Sequence, residues 1–289
     1  MRLSRKYLLA TLFIALALPS SSWAQGFEGT ITTRQITVSE AALFELLYGE
    51  EEMDEEPSID PDKVFAIPLE RILSLAGSMG DELEVDQLTF SIKGTRMRMD
   101  GDIGEEMPGY ALLDFGAGSF QLVQPSEKIY IEWTNEDFEE LQAMMPEMEE
   151  EETGSDAHVR ALGQTKEING MRCSAYEIKL EDATTVAWVT EELKDLVAAF
   201  REFETRMKGM GMFDEEDEGS QTFFLVAEHG FPVMEQTLTT YSMFGGALYD
   251  VQEVVAVERK SLSANVFTVP SGYERKSFMD MMRTFMPER

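Results

Sequence analysis

Several predicted strands in this sequence are apolar at every position instead of every second one. The runs at residues 110–113, 186–189, 223–226 and 254–257 each lack the polar positions that mark a solvent-facing side. An antiparallel sheet commonly buries one face and exposes the other to water. Two arrangements fit these strands: helices cover both faces, or the sheet curves around an apolar pocket of the kind that lipid and acyl-chain carriers use.

The remaining pattern is also dominated by strands. Alternating apolar positions predict strands at residues 87–93, 95–99, 110–113, 120–123, 128–133, 159–168, 171–180, 184–189, 221–227, 233–241 and 248–257. Short turns join the three strands between residues 110 and 133, which favours an antiparallel meander. Helical spacing predicts helices at residues 39–47, 69–76, 135–145 and 190–207. The sequence therefore predicts an α+β fold built on an antiparallel sheet.

The dipeptide Asn169-Gly170 predicts a two-residue hairpin turn, because a type I′ turn requires positive φ at both positions. This turn sets a register that we continue along both strands. The predicted pairs are Ile168 with Met171, Glu167 with Arg172, Lys166 with Cys173, Thr165 with Ser174, Gly163 with Tyr176, Ala161 with Ile178 and Val159 with Leu180. We expect the turn to project into water and the base of the hairpin to enter the core.

Residues 1–24 have the three zones of a secretory signal peptide. A basic start is followed by an apolar stretch at residues 8–18 and by small residues that end at Ala24. The apolar stretch is too short to span a bilayer, which takes about 20 residues. We predict cleavage after Ala24 and a soluble protein of the periplasm that does not insert stably into a membrane.

The rest of the chain is predicted to be a single domain, residues 25–275, because no Pro/Gly/Ser-rich linker divides it. Acidic loop insertions interrupt this domain at residues 50–56, 147–152 and 214–218, and residues 276–289 form a Met-rich tail. The chain has 55 acidic and 24 basic residues, a net charge of -31. Because nucleic-acid binding depends on Lys and Arg neutralising phosphates, this charge argues against a nucleic-acid partner.

Few side chains offer catalytic chemistry. The chain has two histidines, His158 and His229, and one cysteine, Cys173. Lys166 lies across the hairpin and could activate Cys173, but without a histidine nearby we favour a quiet, half-buried thiol. The acidic runs lack the spacing of a calcium loop, and no histidine accompanies the methionine clusters as copper sites usually require. We therefore predict no catalytic residue, no metal site and no cofactor, and we expect that the protein is not an enzyme.

Short segments, taken in order, resemble a family of secreted bacterial domains of unknown function. They are residues 92–98 (IKGTRMR), 113–115 (LDF), 125–130 (PSEKIY), 163–176 (GQTKEINGMRCSAY), 186–190 (VAWVT), 230–233 (GFPV) and 267–273 (FTVPSGY). That family is in turn similar to the periplasmic carriers of outer-membrane lipoproteins (LolA-like proteins). The resemblance implies a strongly curved, half-open antiparallel β-barrel, with helices on or plugging its concave face, and a hydrophobic cavity. It implies no catalytic residues.

We therefore predict an exported, non-catalytic protein that binds an apolar ligand in the cell envelope: a lipid, an acyl chain or a lipidated polypeptide. The alternative is an envelope interaction or structural protein with a closed core and no small ligand. Large side chains on strands with apolar neighbours are the candidate lining of the cavity. These residues are Trp133, Trp188, Tyr130, Phe224 and Leu112.

Overall fold

The computed structural model describes residues 27–49, 59–101, 109–114, 116–133, 137, 157–197, 222–223, 225–241 and 246–277. Its dominant element is a twelve-stranded sheet. The strands are β1 (Glu28–Ser39), β2 (Leu83–Lys93), β3 (Arg96–Gly101), β4 (Tyr110–Asp114), β5 (Ser119–Gln124), β6 (Ile129–Trp133), β7 (His158–Ile168), β8 (Met171–Lys179), β9 (Ala183–Thr190), β10 (Phe231–Tyr241), β11 (Gly246–Arg259) and β12 (Glu274–Ser277). They lie in the order β12-β6-β5-β4-β3-β2-β1-β11-β10-β9-β8-β7.

The sheet is antiparallel except where β12 pairs with β6 in parallel. Its two outer strands are β7 and β12, so it is open and does not close into a barrel. The predicted antiparallel sheet is confirmed, including the meander of β4, β5 and β6. The central strand β1 and the short strand β12 were not predicted from the sequence.

One predicted strand is wrong. Residues 222–223 and 225–226 form helical turns instead of the strand expected at residues 221–227. A short run of apolar residues fits a buried helical turn as well as a buried strand, and periodicity does not separate the two.

Three short helices lie among the described residues: α1 (Glu40–Tyr48), α2 (Pro61–Phe65) and α3 (Leu69–Leu75). α1 begins where the Ser39 hydroxyl accepts a hydrogen bond from the Ala42 backbone N–H, and it ends at Gly49, whose φ is 77°. α1 and α3 confirm two predicted helices. Of the predicted helix at residues 190–207, a helical turn at residues 194–197 is described.

Other predicted segments fall outside the described residues. They are the signal peptide, the three acidic insertions, the tail beyond residue 277 and the helix at residues 135–145 apart from residue 137. Along the described ranges, no helix combines the length and the apolar character needed to cross a membrane.

The Asn169-Gly170 turn is present, with φ of 50° at Asn169 and 80° at Gly170. The predicted pairs from Ile168–Met171 to Thr165–Ser174 are confirmed. The outer pairs are wrong, because the register shifts between Ala161 and Thr165, where Gly163 has a φ of 68°. The structure pairs Ala161 with Tyr176, Val159 with Ile178 and His158 with Lys179.

The turn residues Asn169 and Gly170 are exposed, as predicted, but the base of the hairpin enters the core only through β8, because His158, Arg160 and Ala161 of β7 are exposed. The residues on either side of the turn are nevertheless enclosed. Ile168 and Met171, which flank it, are both buried. The Asn169 side-chain amide donates to Glu253 Oε1 at 3.1 Å and to the Val254 carbonyl at 2.7 Å, both on β11. Two strands separate β8 from β11 in the sheet, and each strand spacing is about 4.8 Å. The sheet must therefore curl for the turn to reach β11.

The buried side of the sheet changes partway along β1. Ile31 and Thr33 are buried, Arg34 and Gln35 are partly exposed, and Ile36 is buried again. Because successive side chains point to opposite faces, Ile31 and Ile36 lie on opposite sides of the sheet. We call the side of Ile36 side A and the side of Ile31 side B.

Cross-strand pairing extends these two sides across the sheet. Side A continues from Ile36 to Val251, Gln236 and Val186. Side B continues from Ile31 to Phe90, Met99, Ala111, Leu122 and Ile131. One continuous apolar cluster, which we call the main core, lies on side A of β8–β10 and on side B of β3–β6.

Two strands are buried on both sides, as their sequences indicated. In β4, residues 110–113 are all buried, and in β9, residues 187–189 are all buried. Side A of β4 contacts Val269 and Tyr273 of the C-terminal segment, and side B of β9 contacts Leu225 and Val226. The apolar residues on both faces of these strands therefore reflect coverage from both sides.

Candidate functional site

The structure separates the five predicted cavity-lining residues. Trp188 is buried in the main core on side A, and Trp133 packs against the main core from side B. Leu112 and Tyr130 belong to a different cluster, and Phe224 lies outside the described residues. The two tryptophans contact the same apolar cluster but not from one face of the sheet.

Leu112 and Tyr130 lie on side A of β4 and β6, beneath the C-terminal segment. Their cluster also contains Tyr110, Val123, Val269 and Tyr273. The Arg98 guanidinium lies 3.7 Å from the centre of the Tyr110 ring. Arg98 also donates hydrogen bonds to the Asp100 carboxylate. The aromatic cluster therefore contacts an arginine that is itself paired with an acid.

Trp188 is the centre of a mixed polar and apolar group on side A. The β8–β9 register places Trp188 opposite Ala175, and the β9–β10 register places it opposite Met234. The Lys166 ammonium lies 3.9 Å from the indole centre and 3.7 Å from Met234 Sδ. We call Lys166, Cys173, Trp188 and Met234 the Lys166 cluster.

The Trp188 indole N–H is buried without a hydrogen-bond acceptor among the described residues. Leaving a buried donor unpaired costs about 1–3 kcal/mol. The ammonium above the ring gains cation–π attraction, which is worth about 0.5–2 kcal/mol. The indole therefore has one face stabilised by Lys166 and one polar edge that lacks a partner.

The thiol of Cys173 is not activated by its position opposite Lys166. Burial raises the pKa of Cys173 to about 11, although the nearby Lys166 charge opposes this shift. The thiol donates to the Met171 carbonyl at 3.4 Å. Cys173 is therefore neutral near pH 7, as expected of a quiet thiol, but it is fully buried and not half-buried as predicted.

The Lys166 side chain is exposed, but partial desolvation against the sheet lowers its pKa below the ordinary value, while Cys173 and Glu253 oppose the shift. Lys166 has no ion pair with a carboxylate in the part of the chain that the structure describes. The Glu253 carboxylate is already taken: Arg34 Nη2 lies 2.6 Å from Oε2, and Asn169 donates to Oε1.

Two half-buried carboxylates lie on side B, away from the Lys166 cluster. Burial raises the pKa of Glu235 to about 7, and Glu235 Oε1 has no hydrogen-bond partner among the described residues. Burial also raises the pKa of Asp250 to about 6, although the Thr37 hydroxyl donates to its Oδ1 at 2.8 Å. Both side chains lie on central strands of the sheet. We therefore expect their ionisation to change the free energy of unfolding of the protein.

No group of three or more His, Cys, Asp or Glu side chains that could hold a metal ion occurs within the described ranges. The Lys166 cluster offers an ammonium, an indole N–H and a thioether. Ammonium and indole N–H groups donate hydrogen bonds, so they suit an anionic or carbonyl-bearing ligand better than a cation.

The sequence identified Trp188 and the Lys166–Cys173 pair but did not bring them together. Their contact depends on the register of β9 with β8 and with β10. The second register shifts between Pro232 and Met234, so it could not be extended from a turn motif.

Comparison with solved structures gives weak similarity. Two structures of PNGF-II, in the C2 and P21 space groups, show TM-scores of 0.33 and 0.32 with 8% sequence identity in each case. They cover 88% and 89% of this chain, but the chain spans only 32% and 33% of theirs. No curated protein matches the sequence significantly.

A domain of unknown function, DUF4412, matches residues 72–273. This match begins in α3 and ends just before β12, so it includes β2–β11, both Trp133 and Trp188, and the whole Lys166 cluster. The chain belongs to the DUF4412 family.

Proposed function

We propose that this protein is an exported, non-catalytic carrier that binds an apolar ligand in the cell envelope. The ligand is a lipid, an acyl chain or a lipidated polypeptide, and it lies between the curled sheet and the helices α1–α3. The proposal includes the half-open barrel with helices on its concave face that the resemblance to lipoprotein carriers implied, and secretion by cleavage after Ala24.

The observation that carries the proposal is the incomplete burial of the helical layer. α1 packs against β1 and β11, and α2 packs against β10. Yet several of their apolar side chains that touch the main core are only partly buried. These are Leu47, Phe65, Leu69 and Leu73. Partly covered apolar side chains beside a large core provide a surface that an acyl chain can cover.

The lengths of the helices support the same proposal. α1, α2 and α3 have nine, five and seven residues. Helices this short gain most of their stability from tertiary packing. They can therefore shift on the sheet at small cost to admit a ligand, whereas the paired strands beneath them stay fixed.

A direct test uses intrinsic fluorescence. A protein that begins at Gln25 retains Trp133 and Trp188 as its two tryptophans. Titration with fatty acids of increasing length should shift the emission of at least one of them, saturably. Comparison of Trp133→Phe with Trp188→Phe identifies the responding ring.

Tyr130→Phe provides the matched comparison. Tyr130 lies in the cluster beneath the C-terminal segment, so the substitution changes affinity only if that cluster also lines the ligand site. Native mass spectrometry of protein released gently from the periplasm should detect a bound lipid. Tryptophan emission that stays unchanged for every fatty acid, with an unchanged circular dichroism spectrum and no lipid detected, would refute the carrier proposal.

A second candidate function is an envelope interaction protein with a closed core. The observation in its favour is the burial of β4 and β9 on both sides. The same titration separates the candidates, because a closed core leaves both tryptophans unresponsive to every acyl chain.

A further inference from the structure

The turn between β7 and β8 is tied to a strand that is not its neighbour. Asn169 is exposed, and its side-chain amide donates to Glu253 Oε1 at 3.1 Å and to the Val254 carbonyl at 2.7 Å, both on β11. Strands β9 and β10 lie between β8 and β11 in the sheet. We call these two hydrogen bonds the Asn169 clasp. The clasp joins the two ends of the curl that the sheet makes at this turn.

Both partners of the Asn169 amide are acceptors. An ionised carboxylate and a backbone carbonyl accept hydrogen bonds and cannot donate them, so the side-chain nitrogen, not its oxygen, faces β11. The Glu253 side chain is buried and is fixed by Arg34, whose Nη2 lies 2.6 Å from Oε2. The site therefore suits an amide. A carboxylate at residue 169 would have no proton to donate to either acceptor and would repel the charge of Glu253.

The sequence of the turn supplies the chemistry that produces such a carboxylate. An asparagine that precedes glycine is especially prone to lose its side-chain amide, because glycine has no Cβ to obstruct the approach of its backbone nitrogen to the asparagine side chain. Apart from its chain neighbours, no described residue has an atom within 4 Å of the position that a Cβ on Gly170 would occupy. Both turn residues are exposed, so water reaches them.

The reaction consumes only water. The Gly170 backbone nitrogen loses its proton and attacks Cγ of Asn169, so that a new C–N bond forms, the Cγ–Nδ2 bond breaks, and ammonia leaves with the proton. Water then opens the cyclic imide at one of its two carbonyls and leaves aspartate or isoaspartate at residue 169. Because the clasp holds Nδ2 and restrains the side chain, the attack starts from molecules in which the clasp has opened.

We propose that Asn169 is a modification site, at which loss of the side-chain amide releases the β7–β8 turn from β11. The intact clasp slows the reaction and the product cannot rebuild the clasp, so the release runs in one direction. Other contacts hold β8 to β9: the Thr190 hydroxyl donates to the Arg172 carbonyl at 3.0 Å, and Glu192 Oε1 accepts from the Arg172 N–H at 3.1 Å. We therefore expect a local change at the turn, with or without an apolar ligand.

The wild-type protein provides the first test. It is incubated at mildly alkaline pH in buffer and in urea, and peptide mass spectrometry follows the conversion of the amide to an acid at residue 169. The folded protein should lose the amide at least about tenfold more slowly, because opening of the clasp precedes the reaction. The deamidated fraction, separated by anion exchange, should exchange backbone hydrogens of residues 165–174 at least about tenfold faster than the intact fraction. Residues 83–101 of β2 and β3 should exchange equally in both fractions.

Three variants test the release without the reaction. Asn169→Asp reproduces the product and should show the same faster exchange as the deamidated fraction. Asn169→Gly removes both donors without adding a charge and tolerates the φ of 50° at this position, so its exchange should lie between that of Asn169→Asp and that of the wild type. Asn265→Asp is the matched control, because Asn265 is exposed and its hydrogen bonds with Ser263 and Thr268 use backbone atoms. It should leave the exchange of residues 165–174 unchanged.

Three results would overturn the proposal. Equal rates of amide loss in buffer and in urea would show that the clasp does not restrain Asn169. Equal exchange of residues 165–174 in Asn169→Asp, Asn265→Asp and the wild type would show that a carboxylate at residue 169 does not release the turn. Faster exchange of residues 83–101 in Asn169→Asp, with a lower free energy of unfolding in urea, would show global destabilisation instead of a local release.

Discussion

Replacing Glu235 by Gln should stabilise the protein at alkaline pH and have little effect at acidic pH. Burial raises the pKa of Glu235 from its ordinary value of 4.5 to about 7 in the folded protein. In the unfolded chain the carboxyl regains its ordinary pKa. Folding therefore takes up a proton between these two pKa values, and the wild-type protein loses stability as the pH rises from about 4.5 to about 7.

The size of the effect follows from the shift. One pKa unit corresponds to about 1.4 kcal/mol, so a shift from 4.5 to about 7 corresponds to at most about 3 kcal/mol. Glutamine has nearly the same shape as protonated glutamate and does not titrate. The advantage of Glu235→Gln should be near zero at pH 4.5, about 2 kcal/mol at pH 6 and at most about 3 kcal/mol at pH 8.

Urea unfolding at pH 4.5, 6, 7 and 8 measures this difference, because other titrating groups, including Asp250, contribute equally to both proteins and cancel. Glu45→Gln is the control: Glu45 is exposed on α1, so its substitution should produce no pH-dependent difference. A free-energy difference for Glu235→Gln that stays constant from pH 4.5 to pH 8 would refute the reasoning.

Four further outcomes are expected. Gly170→Val should lower the free energy of unfolding by about 1–3 kcal/mol, because a β-branched residue is strained at a φ of 80°; an unchanged melting temperature would contradict this. Gly230→Ala should destabilise the protein at least as much in the same assay, since the added Cβ would lie 2.2 Å from the Thr190 carbonyl oxygen. Cys173 should react with iodoacetamide at pH 8 at least about a hundredfold more slowly in the folded protein than in urea; equal rates would show that the thiol is accessible and reactive. Sequencing the protein from an osmotic-shock fraction should give Gln25 as the first residue, and recovery of intact chains from the cytosol alone would argue against export.

Short-range patterns in the sequence were sufficient to predict much of the sheet. The Asn169-Gly170 turn fixed four cross-strand pairs correctly, because the backbone of a two-residue turn dictates its neighbours. The prediction failed at the next pair along this face, two residues from Thr165, because Tyr176 pairs with Ala161 and not with Gly163. The partner strand and its neighbours accommodate the extra residues around Gly163. The alternation of apolar and polar residues in the sequence does not indicate where such a register shift occurs.

β1 was missed for a related reason. Its buried residues follow a period of two up to Thr33 and again from Ile36, but the two runs are out of phase. A strand that buries one side at its start and the other side at its end has no continuous alternation to detect. The same change of side separated Trp133 from Trp188, although both had been correctly expected to contact apolar neighbours.

The position of β1 also determines the order in which the sheet can be completed. β2–β6 and β7–β9 connect near neighbours in sequence, so each meander can form from local contacts. Among the described strands, β1 joins β2–β6 to the other half of the sheet through β11, and it pairs Gly29 with Arg259 and Ser39 with Leu248. Pairing between such distant residues is slow, because the closure of a long loop precedes any gain in contacts. The chain therefore cannot complete this sheet until β11, which ends at Arg259, has been synthesised, even though the two meanders can form earlier.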